Sequence, residues 1–446
     1  MRVGLPFFRP AAPTFRHGVH PAQNKGATNG LRIERMPFVD EYVLPLAQHI
    51  GAPSKPLVTA GQTVQRGEKI ADPGGFVSVA LHSPVTGTVQ GIEMRAHPGG
   101  SPQPAIVIRT DPYADQKWAP TEPPPDFRDV EDVTSRVQQA GIVGLGGAAF
   151  PAHVKLAVPE GRRVRAIILN GCECEPYLTC DHRVMIERPE AVLKGLHLLM
   201  DMAGAERGYV GIELNKSDAI ETMEQLTRDD PRVEVIGVQV KYPEGAEKML
   251  IEAVLSEQVP VGKIPLDREL IVNNVGTSAA LADLFETGRP LIERVVTVTG
   301  PGIRRPANVQ VPIGTPVREL IEHCGGLAPG TEQVILGGPM MGQAQASLDV
   351  PVMKGTSGVL AVLEAWEDAE EQPCIRCGRC LEACAMFLNP SRLAMLARAE
   401  RTDELVAHHV NACFECASCS YVCPSHIPLV QWIRVGKSLV RRESKK

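Results

Sequence analysis

No stretch of this 446-residue chain approaches the ~20 consecutive apolar residues that a membrane-spanning helix needs, so no such span is expected. Met1 to Pro13 lacks an apolar core followed by a small-residue cleavage site, so no secretory leader is read either. Neither sign of charge dominates: the net charge is -6 with acids and bases interspersed, which argues against a nucleic-acid partner held by a basic field. The tail from Lys437 to Lys446 is basic and suits solvent, an anionic membrane or an acidic partner. Aromatics are few, whereas 41 Gly and 38 Pro imply many turns and close backbone approaches. No Ser/His/Asp triad or metal-hydrolase motif is visible, and the one adjacent histidine pair, His408-His409, falls in a helical stretch as solvated or packing residues. At this length roughly three or four domains are expected.

Cysteine is not lacking. Eight of the 12 fall into two matched ladders, Cys374-x2-Cys377-x2-Cys380-x3-Cys384 and Cys413-x2-Cys416-x2-Cys419-x3-Cys423 followed by Pro424. Three cysteines at this spacing surround one iron–sulfur cubane, and the fourth is directed to the other cluster. The spacing therefore assigns Cys374, Cys377, Cys380 and Cys423 to one [4Fe–4S] cluster, and Cys413, Cys416, Cys419 and Cys384 to a second. Zinc is the alternative, but zinc sites use cysteine pairs and leave the third regular cysteine and the Cys-Pro ending unused. The first ladder ends Cys384-Ala385 without proline, which is no ligand. Leu393, Leu396, Leu405 and Val406 between the ladders predict helix over 390–410. Oxygen-sensitive clusters and unpaired thiols point to a reducing compartment, the cytoplasm.

Upstream, residues 1–34 read as an extended arm. Over 35–111, short alternating runs (55–58, 69–71, 77–81, 88–92 and 105–109) predict strands. Their two halves resemble the barrel-sandwich fold of biotinyl and lipoyl carriers. The hairpin stretch Phe76 to His82 contains no lysine, so a structural platform is expected in place of a carrier. Residues 112–128 form a Pro-rich linker. Next comes Gly144-Leu145-Gly146-Gly147-Ala148-Ala149-Phe150-Pro151 leading to Lys155, a loop whose bare backbone lets N–H groups approach a phosphate or a flavin ring. The strand 164–169 opens into Asn170-Gly171-Cys172-Glu173-Cys174-Glu175, placing two carboxylates where open α/β sheets bind ligands. Cys172, Cys174 and Cys180 match no common ligand spacing and are expected to be buried or half-buried thiols, and Cys324 a core thiol. Helix and strand alternate over 189–240, then Glu247 opens a helix to Leu255. Strand 270–272 runs into Asn273-Asn274-Val275-Gly276-Thr277, where paired amides suit ribityl hydroxyls or a flavin edge. Residues 293–362 predict a ββαβ grasp-like unit, followed by an acidic connection, 364–371.

These collinear motifs, with Gln48-His49-Ile50-Gly51-Ala52-Pro53, resemble the RnfC family, the C subunits of Rnf (Rsx) electron-transport complexes. The NADH-oxidising flavoprotein subunit of respiratory complex I is a more distant likeness. The resemblance implies a multidomain α/β chain: arm 1–34, barrel-sandwich 35–111, linker 112–128, Rossmann-like FMN/NADH domain 129–290, SLBB module 291–363 and two-[4Fe–4S] ferredoxin-type domain 364–446. It places Gly144, Gly146, Gly147 and Lys155 at flavin-loop positions, and Asn170, Glu173, Glu247, Asn273, Asn274 and Thr277 at further flavin contacts. Phe150 falls near the NADH adenine and Glu175 beside the nicotinamide, as the catalytic acid. Two departures stand out: Leu145 where the complex I version has arginine, and Ala149 where glycine is common. The implied activity joins NAD(H), FMN and two clusters to ion translocation and ferredoxin redox through partner subunits, peripherally on the cytoplasmic side of the cell membrane. The alternatives are a flavin/iron–sulfur cobalamin reductase of a bacterial microcompartment, or a non-catalytic electron-wire scaffold.

Overall fold

A computed structural model describes residues 12–118, 130–364 and 370–444. Most of the Pro-rich linker, 365–369 of the acidic connection, the start of the arm and the last two residues of the basic tail lie outside the described residues. Among the described residues no helix is long and apolar enough to cross a membrane.

The barrel-sandwich forms from two sheets around one core. Glu41–Pro45, Gln103–Thr110, Gly87–Arg95 and Thr63–Val64 make one, and Lys55–Pro56, Lys69–Asp72 and Leu81–His82 the other. Tyr42, Val64, Ile70, Leu81 and Ile106 are fully buried between them. The expected strand over 77–81 is reduced to Leu81–His82. Its preceding carbonyls are taken elsewhere: the two N–H groups of the Gln138 amide are shared among Gly75 O, Phe76 O and Ser78 O, at 3.1, 3.3 and 3.0 Å from its nitrogen. The hairpin that a carrier would leave free is tied to the helix Val130–Gln139 of the next domain.

That next domain is built on a four-stranded parallel sheet in the order Val233–Val238, Arg207–Glu213, Ala166–Asn170, Leu270–Asn274. From Ala166–Asn170 the chain passes to Arg207–Glu213 on one side, while Leu270–Asn274 lies on the other. This is a topological switch point, where the chain leaves two neighbouring strand ends in opposite directions and opens a crevice. Helices Cys180–Glu187, Pro189–Ala203, Ser217–Thr227, Glu247–Leu255 and Val275–Thr287 cover the sheet. The first and last of these are not foreseen from the sequence. Two of them meet closely: a β-carbon on Gly195 would sit 1.9 Å from Ser278 O. Overpacking of this kind costs about 1–3 kcal/mol. Gly195→Ala is therefore expected to bring thermal unfolding, followed by circular dichroism, to an earlier transition.

The SLBB module centres on a six-stranded sheet whose middle pairs Glu293–Thr299 with Ala307–Pro312 and Gly358–Val362. Ile33–Arg35, expected at the end of the arm, joins its edge parallel to Ala307–Pro312. Glu293, buried at the start of this sheet, accepts hydrogen bonds from Arg35, Arg66 and Arg289, and so ties the barrel-sandwich to the SLBB module. These three cations hold its carboxyl below the usual range against the cost of burial. In the cluster domain the expected single helix over 390–410 is two, Pro390–Arg398 and Thr402–Ala407. Glu400, at φ 52, breaks it, and His409 at φ 58 lies past the second helix. Both pack on the C-terminal helix Leu429–Glu443 through Leu393, Leu396, Leu405 and Ile433.

Candidate functional site

The crevice at the switch point gathers most of the flavin-loop and strand-end residues singled out above. Asn170 and Asn274 stand opposite each other at the ends of adjacent strands. Asn274 ends its strand and caps the helix Val275–Thr287, its side-chain oxygen accepting from Gly276 N (2.8 Å) and Thr277 N (3.2 Å). That fixes the amide, whose nitrogen donates to Asp181 Oδ2 at 2.6 Å. The Thr277 hydroxyl accepts from Leu145 N (2.9 Å) and so pins the glycine loop to the same helix. Gly144 N donates to Phe150 O at 2.8 Å, closing that loop. A β-carbon on Gly146 would lie 3.1 Å from the Asn274 amide. Ala149 has φ 49, in the left-handed region, which explains why glycine is common there. Lys155 pairs with Glu247 and also donates to Val272 O at 2.9 Å. The Asn170 amide donates to Gly245 O at 2.8 Å. Asn273 is buried, and Phe150 is half-buried beside the loop closure.

The two strand-end acids part company. Glu173 turns to the start of helix Cys180–Glu187 and accepts from Asp181 N (2.8 Å) and His182 N (3.2 Å), so its charge serves a helix N-terminus. Glu175 reaches across to the SLBB module and accepts from Met340 N (3.0 Å) and Met341 N (2.8 Å). Burial pushes its carboxyl up to about 7, against the pull of those two N–H groups. Asp181 is likewise raised to about 7, by burial and then by Glu173. Sequence reasoning misses Asp181, and also Tyr242. The buried Tyr242 phenol, which also interacts with Glu175, donates to Cys416 O at 2.9 Å and so joins the crevice to the second ladder. In sequence its segment signals only the approach to a helix. In Tyr242→Phe the Cys416 carbonyl loses its donor, and local opening of 413–419 should become easier by about 1 kcal/mol. Amide exchange there is expected to quicken ~5-fold, with the parallel sheet unchanged.

The ladders repeat each other in backbone as well as in spacing. Arg376, Gly378 and Phe387 have φ 56, 80 and 55, and the residues at the same offsets in the second ladder, Glu415, Ala417 and His426, have φ 64, 62 and 50. Five of these six are not glycine, so a costly conformation is held at matching points. Among the described residues no three His, Cys, Asp or Glu side chains converge as ligands of a single ion. The thiols interact across the two ladders: Cys413 and Cys419 each interact with Cys416 and Cys384, Cys380 interacts with Cys423, and Cys384 also interacts with Cys380. Burial pushes Cys413 up to about 11. Cluster binding would require these thiols to ionise, and the charge of iron would stabilise the thiolates. The donor set therefore fits iron–sulfur clusters, and the bare glycine loop facing a fixed asparagine amide fits a flavin. Cys374 and Cys377 are exposed; Cys172, Cys180 and Cys324 are buried as expected, and Cys174 is half-buried.

Residues 13–113 match the family described as the RnfC barrel sandwich hybrid domain, and 137–283 the Nuo51 FMN-binding domain. Residues 295–344 match the SLBB domain and 370–427 the 4Fe-4S dicluster domain. The chain is 44% identical to the C subunit of the proton-translocating ferredoxin:NAD(+) oxidoreductase complex of Clostridium ljungdahlii, over 88% of this chain and 86% of that one. It is 41% identical to the C subunit of the Na(+)-translocating ferredoxin:NAD(+) oxidoreductase complex of Acetobacterium woodii, over 97% and 98%. It is 40% identical to the C subunit of the ion-translocating oxidoreductase complex of Rhodobacter capsulatus, over 97% and 84%.

Proposed function

This chain belongs to the RnfC family, the C subunits of ion-translocating ferredoxin:NAD+ oxidoreductase (Rnf) complexes, and we propose that it is the peripheral oxidoreductase subunit of such a complex, working with NAD(H), FMN and two [4Fe–4S] clusters. Its partners are the other subunits of that complex, which link the redox reaction to ion movement. We place it on the cytoplasmic side of the membrane, where NADH is available. FMN, when bound, accepts a hydride from NADH and exchanges electrons singly with iron–sulfur clusters, which take only one at a time.

The domain limits proposed are those of the sequence reading, near 111, 128, 290 and 363. Gly144, Gly146 and Gly147 would let the flavin approach the loop backbone, with Lys155 and Glu247 at the helix start beside it. Asn170, Asn273, Asn274 and Thr277 would hold the flavin's polar groups from the strand ends. Glu173 supports them by fixing the helix that carries Asp181. Phe150 is assigned to the adenine and Glu175 to the nicotinamide. The cluster ligands proposed are Cys374, Cys377, Cys380 and Cys423 for one cubane, and Cys413, Cys416, Cys419 and Cys384 for the other.

The observation that carries this reading is the junction at Tyr242. A single buried side chain interacts with the Glu175 carboxylate and donates to the backbone of the second cysteine ladder, so the positions proposed for the nicotinamide and for a cluster would share a wall. Anaerobic reconstitution with iron, sulfide and FMN tests it. Flavin released on denaturation, together with NADH-driven bleaching of cluster absorbance, is expected. Clusters without flavin and without response to NADH would make the chain a passive electron conductor.

A further inference from the structure

The segment 13–31 precedes every domain that carries chemistry, yet it lies across two of them. Val19 and Tyr242 exchange backbone hydrogen bonds (2.8 and 2.9 Å), Lys241 donates to Phe15 O (2.8 Å), and the His17 ring nitrogen Nδ1 donates to Cys384 O (3.3 Å). Further along, Tyr177 N donates to Gln23 O at 2.8 Å. Between these attachments sits Lys25, buried, with its ammonium against three carbonyls: Glu173 O at 2.9 Å, Glu175 O at 2.8 Å and Leu178 O at 2.6 Å. Carbonyls only accept, so three such bonds require three N–H groups, and a neutral amine has two. The geometry therefore demands the charged form. Burial and the neighbouring Lys216 pull the Lys25 pKa down, and Glu173 and Glu213 pull it back. A second buried lysine, Lys216, takes Cys172 O at 2.6 Å.

The loop these lysines hold would not keep its shape unaided. Glu173 and Tyr177 have φ 46 and 68, left-handed conformations that a non-glycine residue adopts only at a cost. Loops of this kind persist only where the surroundings over-determine them. From this loop the Glu175 side chain runs to Met340 and Met341.

We propose that Lys25 is a positioning residue of the NADH site: from a strap outside the flavin-binding fold, it gathers the Glu173, Glu175 and Leu178 carbonyls and so sets where the Glu175 carboxylate points. The inference rests on the assignment of Glu175 to the nicotinamide. It also makes the strap a working part of the electron-entry site and not only a leader to the barrel-sandwich.

Lys25→Met keeps the length of the side chain and removes both the charge and the donors. In the full chain, hydrogen exchange of the 173–178 amides is expected to rise at least tenfold, with strands 166–170 and 207–213 unchanged. With FMN and clusters loaded, the flavin midpoint potential should move to a more negative value, because the buried positive charge held against the 173–178 loop has gone. The turnover number for NADH should fall about tenfold or more with flavin content retained, and Lys25→Arg should recover part of it. Wild-type exchange in 173–178 together with a wild-type potential and turnover would overturn the proposal. Should the Met variant fail to fold, Lys25→Gln, neutral with two donors, is expected to shift the same readouts part of the way, and a Gln variant indistinguishable from wild type would overturn it equally. Wild-type protein that takes up no FMN would instead sink the functional reading, while the exchange experiment would still report on the strap.

Discussion

In Cys384→Ala the cluster lost is expected to be that of the second ladder, with the first intact. Iron and sulfide should fall to about half of the wild-type content, and one of the two reduced-cluster EPR signals should vanish. The reason is steric and local. The helix Arg379–Ala383 ends at Cys384, whose backbone turns extended, and Leu388 N donates to its sulfur at 3.3 Å. Cys384 packs, as Cys413 does, against the apolar cluster around Leu393 and Leu405, and it interacts with Cys413. Cys423 packs with Cys380 against the apolar cluster of Ala394, Cys419, Ile427 and Leu429. Loss of the first cluster in this variant, with the second retained, would show that each ladder closes on itself.

The ladders can be read from sequence because their chemistry is local: four sulfurs fall within eleven residues, and their spacing states the ligand geometry. The parallel sheet is legible for a similar reason, since apolar strands alternate with amphipathic helices at short range. What stays hidden depends on distant pairing. Lys25 meets carbonyls about 150 residues away, and nothing in its neighbourhood, Asn24 to Gly26, distinguishes it from a solvated lysine. Tyr242 meets Cys416 across a domain boundary. Glu173 reads as a ligand group in sequence, and so does Asn274, because a helix cap and a cofactor contact draw on the same residue types. The structure shows the cap directly, with the oxygen of the Asn274 amide on Gly276 N and its nitrogen on Asp181. The helix Val275–Thr287 escapes notice because Val, Gly, Thr and Ser open it, poor helix formers offset here by the asparagine cap.

Glu175→Gln is expected to slow NADH-driven flavin reduction in a single turnover by about 100-fold, while FMN content stays near that of the wild type. As NADH gives up hydride its nicotinamide ring becomes positively charged, and a carboxylate fixed beside it stabilises that charge as it develops. Removing one such preorganised group typically costs 10²–10³ in rate. The Glu175 carboxylate is fixed: two backbone N–H groups of another domain hold it, and a β-carbon on Gly338 would sit 2.4 Å from its Oε2, so the glycine there permits the approach. Burial raises its pKa to about 7, which fixes the sign of the pH dependence. Below that value the group is protonated and neutral, and above it ionised and able to act. The wild-type rate should therefore climb as pH rises through about 7 and level off beyond it. In Glu175→Gln that inflection should be absent and the profile flat across the same interval. Glutamine keeps one oxygen to accept from the 340–341 backbone, so the junction with the SLBB module survives well enough for the measurement. A variant that loses flavin but turns over normally per remaining flavin would move Glu175 from the nicotinamide to cofactor retention. A variant with an unchanged inflection would transfer the titration to Asp181, the other carboxyl in the crevice raised to about 7.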